Sequence, residues 1–258
     1  MLLLKRLFDF YINASLHIGF AVLALTIITE ISLQIPQQKN LHLIIFFGTI
    51  AGYNILKYVD AFSRNTNWFV QNRLISFVSI LALVIAVYLF FNLPTLVQFA
   101  FIAIGTGVVF YPFLRKYGLL KMFFVSFFIS AITVYIPKIM STPNSFNFYL
   151  TLVQRFLIVV SLLVPFEISD SKTDHPSLRT LPQQFGISRT KFLGIVLVLS
   201  FLILEFFKTN SSYTILIISI TTALFIYFSS VNKNKYYTSF WVESVPVFWW
   251  LLLVLFKT

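Results

Sequence analysis

Nine long apolar runs divide the chain, at residues 17–35, 41–59, 74–91, 94–114, 119–137, 148–166, 192–207, 213–230 and 239–256. Each holds 16 to 21 residues, close to the length that an α-helix needs to cross a hydrocarbon layer about 30 Å thick. None shows the strict alternation of a lipid-facing barrel strand. Turn-forming residues separate the runs: Pro36, Asn92 with Pro94, Pro112 with Gly118, Pro137 with Pro143, Pro176 with Pro182, and Asn210 with Ser211 and Ser212. The pattern predicts an all-α fold, a polytopic membrane bundle of nine transmembrane helices forming one domain over residues 1–258. Ahead of the first run, residues 1–13 set Leu3, Leu4, Leu7, Phe8 and Tyr11 against Lys5, Arg6 and Asp9, the signature of a short helix lying in the membrane interface. No small-residue cleavage site follows a compact apolar core, which argues against a signal peptide.

Composition agrees with this picture. Hydrophobic residues make up 59% of the chain and charged residues 10%, against about 45–50% and 25% in an ordinary soluble domain. The formal charge of +11 would suggest nucleic acid in a soluble protein, but here its position changes its meaning. Taken alternately, one set of gaps holds 14 Lys and Arg residues and the other holds four, Lys39, Lys138, Lys208 and Lys257. Cytoplasmic loops carry the excess of Lys and Arg, so the expectation is a cytoplasmic amino terminus, an outside carboxyl terminus and no nucleic-acid partner. Absence of cysteine excludes disulfides and thiolate chemistry, and His17, His42 and His175 are too scattered to suggest a metal cluster. The 32 phenylalanines are read as lipid-facing and interhelical packing rather than as a carbocation-stabilising line of rings.

Three predicted cytoplasmic loops, at about 58–73, 115–121 and 167–191, hold the candidate chemistry. At the end of the sixth run, Glu167, Asp170 and Asp174 stand at i, i+3 and i+7, one face of a helix if the helix continues. Negative charge near a helix carboxyl end is disfavoured by the macrodipole, so the stripe calls for a cation. Mg²⁺ suits it, because that ion is held by one or two carboxylates, waters and substrate phosphates. The competing reading makes Asp170 and Asp174 solvated loop acids neutralised by Lys172 and Arg179, and spacing alone leaves both open. Arg155, within the sixth run, is expected to pair with Glu30 or Glu205 as a structural staple, since buried ions usually pair.

The same stretch carries a family resemblance. Asp170-Ser171-Lys172-Thr173-Asp174, followed by Arg179-Thr180-Leu181-Pro182 and Gly186, resembles the second aspartate motif of the UbiA-type intramembrane prenyltransferases, with Glu167 three residues ahead of it. Tyr111-Pro112-Phe113-Leu114-Arg115-Lys116 resembles that family's Tyr-Pro-x-x-Lys-Arg element. The resemblance implies nine helices, a cytoplasmic site and transfer of a prenyl group from a diphosphate donor. It makes Asp170 and Asp174 catalytic metal ligands, with Glu167 beside them, and Arg115, Lys116 and Arg179 contacts to the diphosphate.

The first aspartate motif departs from the family pattern: Asn54 is followed by Ile55, and the other aspartate positions hold Tyr58 and Phe62. Lys57, one helical turn from Asn54, is a candidate substitute for the missing metal, with Asn54 as a substrate contact. The other reading of Lys57 is a membrane anchor whose ammonium reaches the headgroups. The expected function is therefore transfer of an isoprenoid group to an acceptor within the membrane. The alternative is a non-catalytic isoprenoid-lipid binding or transport protein that keeps the fold. The partners expected are a prenyl diphosphate or other isoprenoid lipid and the surrounding membrane lipids.

Overall fold

A computed structural model describes residues 2–64, 67–114, 117–139, 141, 145–209 and 211–256. Among these the chain is helical and turning, without strands. Its helices are α1 (Leu2–Asn13), α2 (Leu16–Ser32), α3 (Lys39–Arg64), α4 (Trp68–Gln71), α5 (Arg73–Phe90), α6 (Thr95–Leu114), α7 (Gly118–Ser130), α8 (Ile136–Ile139), α9 (Phe146–Asp170), α10 (Leu181–Glu205), α11 (Thr214–Phe228) and α12 (Val245–Leu255). Each of the nine apolar runs falls mainly on helix, with non-helical residues at 33–35, 91, 94, 206–207, 213, 229–230, 243–244 and 256. Six helical stretches are long and apolar enough to cross a membrane: Lys39–Val59, Arg73–Phe90, Gly118–Ile139, Phe146–Asp170, Ile187–Glu205 and Tyr237–Leu255. A seventh is the pair α1 and α2, bent by 55° at Ala14 and Ser15, and two shorter apolar helices are Thr95–Tyr111 and Thr214–Phe228. The protein is thus a multi-pass membrane helical bundle.

Proline and glycine shape the long helices. Pro137 has no N–H to donate, and the turn before it widens into a π-helical segment, Ala131–Tyr135, in which the Ile136 amide reaches back to Ala131. That widening joins α7 to α8 without a break in direction being forced by the missing bond. In α10, Gly186 takes φ 80° and ψ 160°, a conformation essentially confined to glycine. The helix is therefore split into a short first turn, ahead of Gly186, and the spanning stretch.

Helix α9 is the centre of the bundle: 67% of its spanning window is buried, against 17–39% for the other five. Its Ile158 and Val159 pack with Leu25 and Ile28 of α2, Phe201 of α10, Ile218 of α11 and Trp249 of α12. Farther along, Val160, Val164 and Ile168 meet Met122, Val198 and Ile226. The outward face of α5, including Leu74, Phe77, Ile80 and Val84, is exposed, as suits a helix whose solvent is lipid. Around this centre the carboxyl ends of α3 and α9 and the amino ends of α2, α7 and α10 meet at one end of the bundle, bridged by Ser15 to Asn54 and Lys121 to Asp174.

At the opposite end the expected pairing of Arg155 gives way to a different arrangement. Glu30 is bonded to His42 at 2.6 Å and Glu205 to Lys208 at 3.2 Å, while Arg155 donates to Thr29 Oγ1 at 3.0 Å. Each acid is engaged by a cation or imidazole on a neighbouring turn or helix, and among the described residues Arg155 makes no ion pair with either, although Glu30 Oε1 is buried without a hydrogen-bond partner.

Candidate functional site

The acidic segment is shaped by how α9 ends. The helix stops at Asp170, but the Thr173 and Asp174 amides both donate to the Asp170 carbonyl, at 2.9 and 2.8 Å. One further turn is thereby wound, and Asp174 is carried back toward Glu167. Lys121, on the first turn of α7, fills the space between them: its Nζ is 2.8 Å from Glu167 Oε1 and 3.4 Å from Asp174 Oδ2. The three-acid stripe read from the sequence is thus realised for Glu167 and Asp174, with a lysine as the offsetting cation. Asp170 is exposed and acts electrostatically on Tyr53 of α3 and on Glu167.

The rest of the segment is held in register by backbone contacts. Gln183 accepts from the Thr180 amide at 3.1 Å and donates to the Asp174 carbonyl at 3.2 Å, so the start of α10 and the position of Asp174 are tied together. This is the returning half of a capping box. Arg179 takes a left-handed φ of 50°, is exposed, and accepts on its carbonyl from Gln184. Gly118 lies against the Leu178 carbonyl and the Thr180 backbone so closely that a Cβ there would collide with them. The Arg-Thr-Leu-Pro element and the first turn of α7 are therefore one packed unit, which positions Lys121 on its acids.

Asn54 and Lys57 face a different task. Asn54 is buried, accepts from Ser15 Oγ at 2.5 Å, and donates to the Ala14 carbonyl and Ser79 Oγ at 3.1 and 2.9 Å. Lys57 Nζ reaches the Ile12 and Asn13 carbonyls at 3.5 and 3.4 Å, and Tyr58 donates to the Asn13 carbonyl at 2.7 Å. These side chains complete the bare carbonyls where α1 ends, the place where a cation is favoured by the helix dipole. Arg115 and Lys116 lie outside the described residues.

Four residues not singled out from the sequence join the site end. Lys121 was counted there only as loop charge, and His17, Tyr53 and Glu243 were given no role. His17 is buried and hydrogen-bonds Glu243; Glu243 acts electrostatically on Lys57 and on Tyr53, which also feels Tyr111, Asp170 and Tyr58. Tyr53 keeps 39% of its surface accessible, and the groups that act on it come from α3 itself and from α6, α9 and the segment before α12. The signal was in the sequence: Lys121 and Glu243 are charges set inside apolar runs, where ionisable groups are costly.

The donor set suits a hard cation. Glu167 Oε2 is buried and has no hydrogen-bond partner, an acceptor that a cation would complete, and carboxylate oxygens are the ligands Mg²⁺ prefers. Among the described residues no group of three or more His, Asp or Glu gathers closely enough to hold a metal by itself, so phosphate and water oxygens would have to supply the remaining ligands. The chain matches no family model, no curated protein and no solved structure.

Proposed function

We propose that this chain is a divergent UbiA-type prenyltransferase with nine membrane spans, its amino terminus cytoplasmic and its carboxyl terminus outside. It moves an isoprenoid group from a prenyl diphosphate to an acceptor within the bilayer. The observation that carries the reading is the meeting of Glu167, Asp174 and Lys121 at the motif-like loop, with Asp170 close enough to act electrostatically on Tyr53. A diphosphate needs positive charge near its leaving oxygens and apolar surroundings for its tail; Lys121 at the end of α9 and the apolar helices in the bilayer are compatible with both needs.

In this reading Asp170, Asp174 and Glu167 hold Mg²⁺, which would supply charge to a departing diphosphate. Lys121 and Arg179 would add positive charge for the same oxygens, and Arg115 and Lys116 are assigned to them by the motif resemblance. The bond between the allylic carbon and the diphosphate oxygen breaks with its electron pair on the diphosphate, and an electron pair of the acceptor forms the new bond to carbon. Lys121 competes with a metal for Glu167 and Asp174, so substrate binding must draw its ammonium from the acids toward phosphate.

The second reading, an isoprenoid-lipid binding or transport protein without catalysis, is favoured by one observation. Asn54 and Lys57, which stand at the degenerate first motif, are engaged in holding the α1–α2 break rather than facing the acids. Purified protein supplied with Mg²⁺ and radiolabelled prenyl diphosphates separates the two. Diphosphate release that falls strongly in Asp170→Asn and Asp174→Asn, and little in Asp60→Asn, an acid out of register with the first aspartate motif, supports the enzyme. Retained lipid without release supports the binding protein.

A further inference from the structure

Arg155 lies on α9, nine residues from its start at Phe146, hence about 13 Å along the helix from the end opposite the acidic loop. Only 2% of it is exposed. One nitrogen, Nη2, donates to Thr29 Oγ1, and the guanidinium rests over the ring of Trp249 at 5.2 Å. The other terminal nitrogen, Nη1, is buried without a hydrogen-bond partner. Among the described residues no carboxylate stands within ion-pairing distance. Glu30 gives Oε2 to His42 while its Oε1 is buried without a partner, outside ion-pairing distance of Arg155, and Glu205 is saturated by Lys208, Gln154 Nε2 and the Ser212 amide. Lys208 adds like charge, since it and Arg155 repel each other.

Two more buried donors without partners belong to residues near it in the fold, the Trp249 ring under the guanidinium and Thr151 one helical turn before Arg155. Trp249 Nε1 and Thr151 Oγ1 are buried and unpartnered. Thr151 precedes Arg155 by one turn, the direction in which helical side chains lean. A guanidinium that cannot lose its proton, buried among helices with one hydrogen bond, is costly unless negative charge reaches it. We propose that Arg155, Trp249 and Thr151 form an anion-binding site within the bundle, away from the acidic loop, that takes a compact singly charged anion: a halide, or the carboxylate of a fatty acyl chain. Planar N–H pairs match a carboxylate, and the indole and hydroxyl donors suit either anion.

The test follows thermal unfolding of the full chain in detergent, with chloride replacing gluconate at constant ionic strength and, in a separate arm, with decanoate added. A saturable rise in the midpoint of about 3–6 °C with one of these anions, lost in Arg155→Met, supports the site and identifies the source as inorganic ion or lipid carboxylate. No response to either anion, or the same response in Arg155→Met, overturns it. Should Arg155→Met fail to fold, Trp249→Phe keeps the ring and removes one donor; its anion affinity should fall about tenfold, the loss expected for one donor to a charged partner. Unaltered affinity in Trp249→Phe would overturn the assignment.

Discussion

Two glycines at the site end act for different reasons, and substitution distinguishes them. Gly118 has room on its backbone angles but none in space, because the Leu178 carbonyl and Thr180 crowd it. Gly186 has open space around it but a φ of 80°. Gly118→Ala should lower stability by about 1–3 kcal/mol through overpacking and should also disturb Lys121 on its acids. Gly186→Ala should cost about 1–3 kcal/mol through backbone strain alone. Unfolding midpoints in detergent check both, and only the Gly118 variant should alter diphosphate binding. Lys121 offers a second test at this scale. Lys121→Met strands Glu167, with 5% of its side chain exposed, and Asp174, with 18%, and should cost about 3 kcal/mol, the lower end for a broken buried pair because Asp174 is partly wet. Adding Glu167→Gln should restore most of that loss, a coupling that a double-mutant cycle reads directly.

At the scale of elements, the junction of α1 and α2 explains why the second apolar run of the sequence ends in polar residues. Ser15 takes a left-handed φ of 58°, and the carbonyls left free at the end of α1 are met by Lys57, Tyr58 and Asn54 of α3. The bend of 55° is therefore a built corner. Lys57→Gln should lower stability by about 0.5–1.5 kcal/mol, the net value of hydrogen bonds of this kind, with little change in prenyl diphosphate binding. Abolished binding in a folded Lys57→Gln protein would instead assign Lys57 to the diphosphate in place of the lost aspartates. α1 is also joined to the loop before the last span, where Asp9 accepts from Tyr236 at 2.5 Å and from Lys235 at 3.4 Å. An exposed pair of this sort adds little stability, and its role is to keep the first helix against the bundle.

For the whole molecule, the alternation of charge along the chain predicts that the acidic loop and the turn between α2 and α3 lie on opposite sides of the membrane. The protein has no cysteine, so single cysteines placed at His175 and Gln38 can be labelled with an impermeant reagent in intact cells. Labelling is expected at position 38 and not at 175. Labelling at 175 would put the acidic loop outside and remove the cytoplasmic diphosphate reading with it. Two junctions, Gly118 with Thr180 and Lys121 with Asp174, join the start of α7 to the sixth gap between runs, so the two ends lie on one side of the membrane.

The helical membrane class and the concentration of acids at the end of α9 were legible in the sequence, because the cost of exposing polar groups to lipid writes itself into composition and period; helix ends were less so, since α3 and α9 run four to five residues past their apolar runs. Gly186 and Gln183 were also local signals: a positive φ and a capping residue act within a few positions of the chain. What the tertiary structure alone decided was partnership. Lys121 and Asp174 are 53 residues apart, His17 and Glu243 are 226 apart, and Arg155 meets Thr29 across 126 residues instead of the acids that charge pairing suggested. Pairing of that kind depends on which helix faces face inward and at what depth, and those are settled by the packing of the other helices around α9, a property that no local window of the sequence contains.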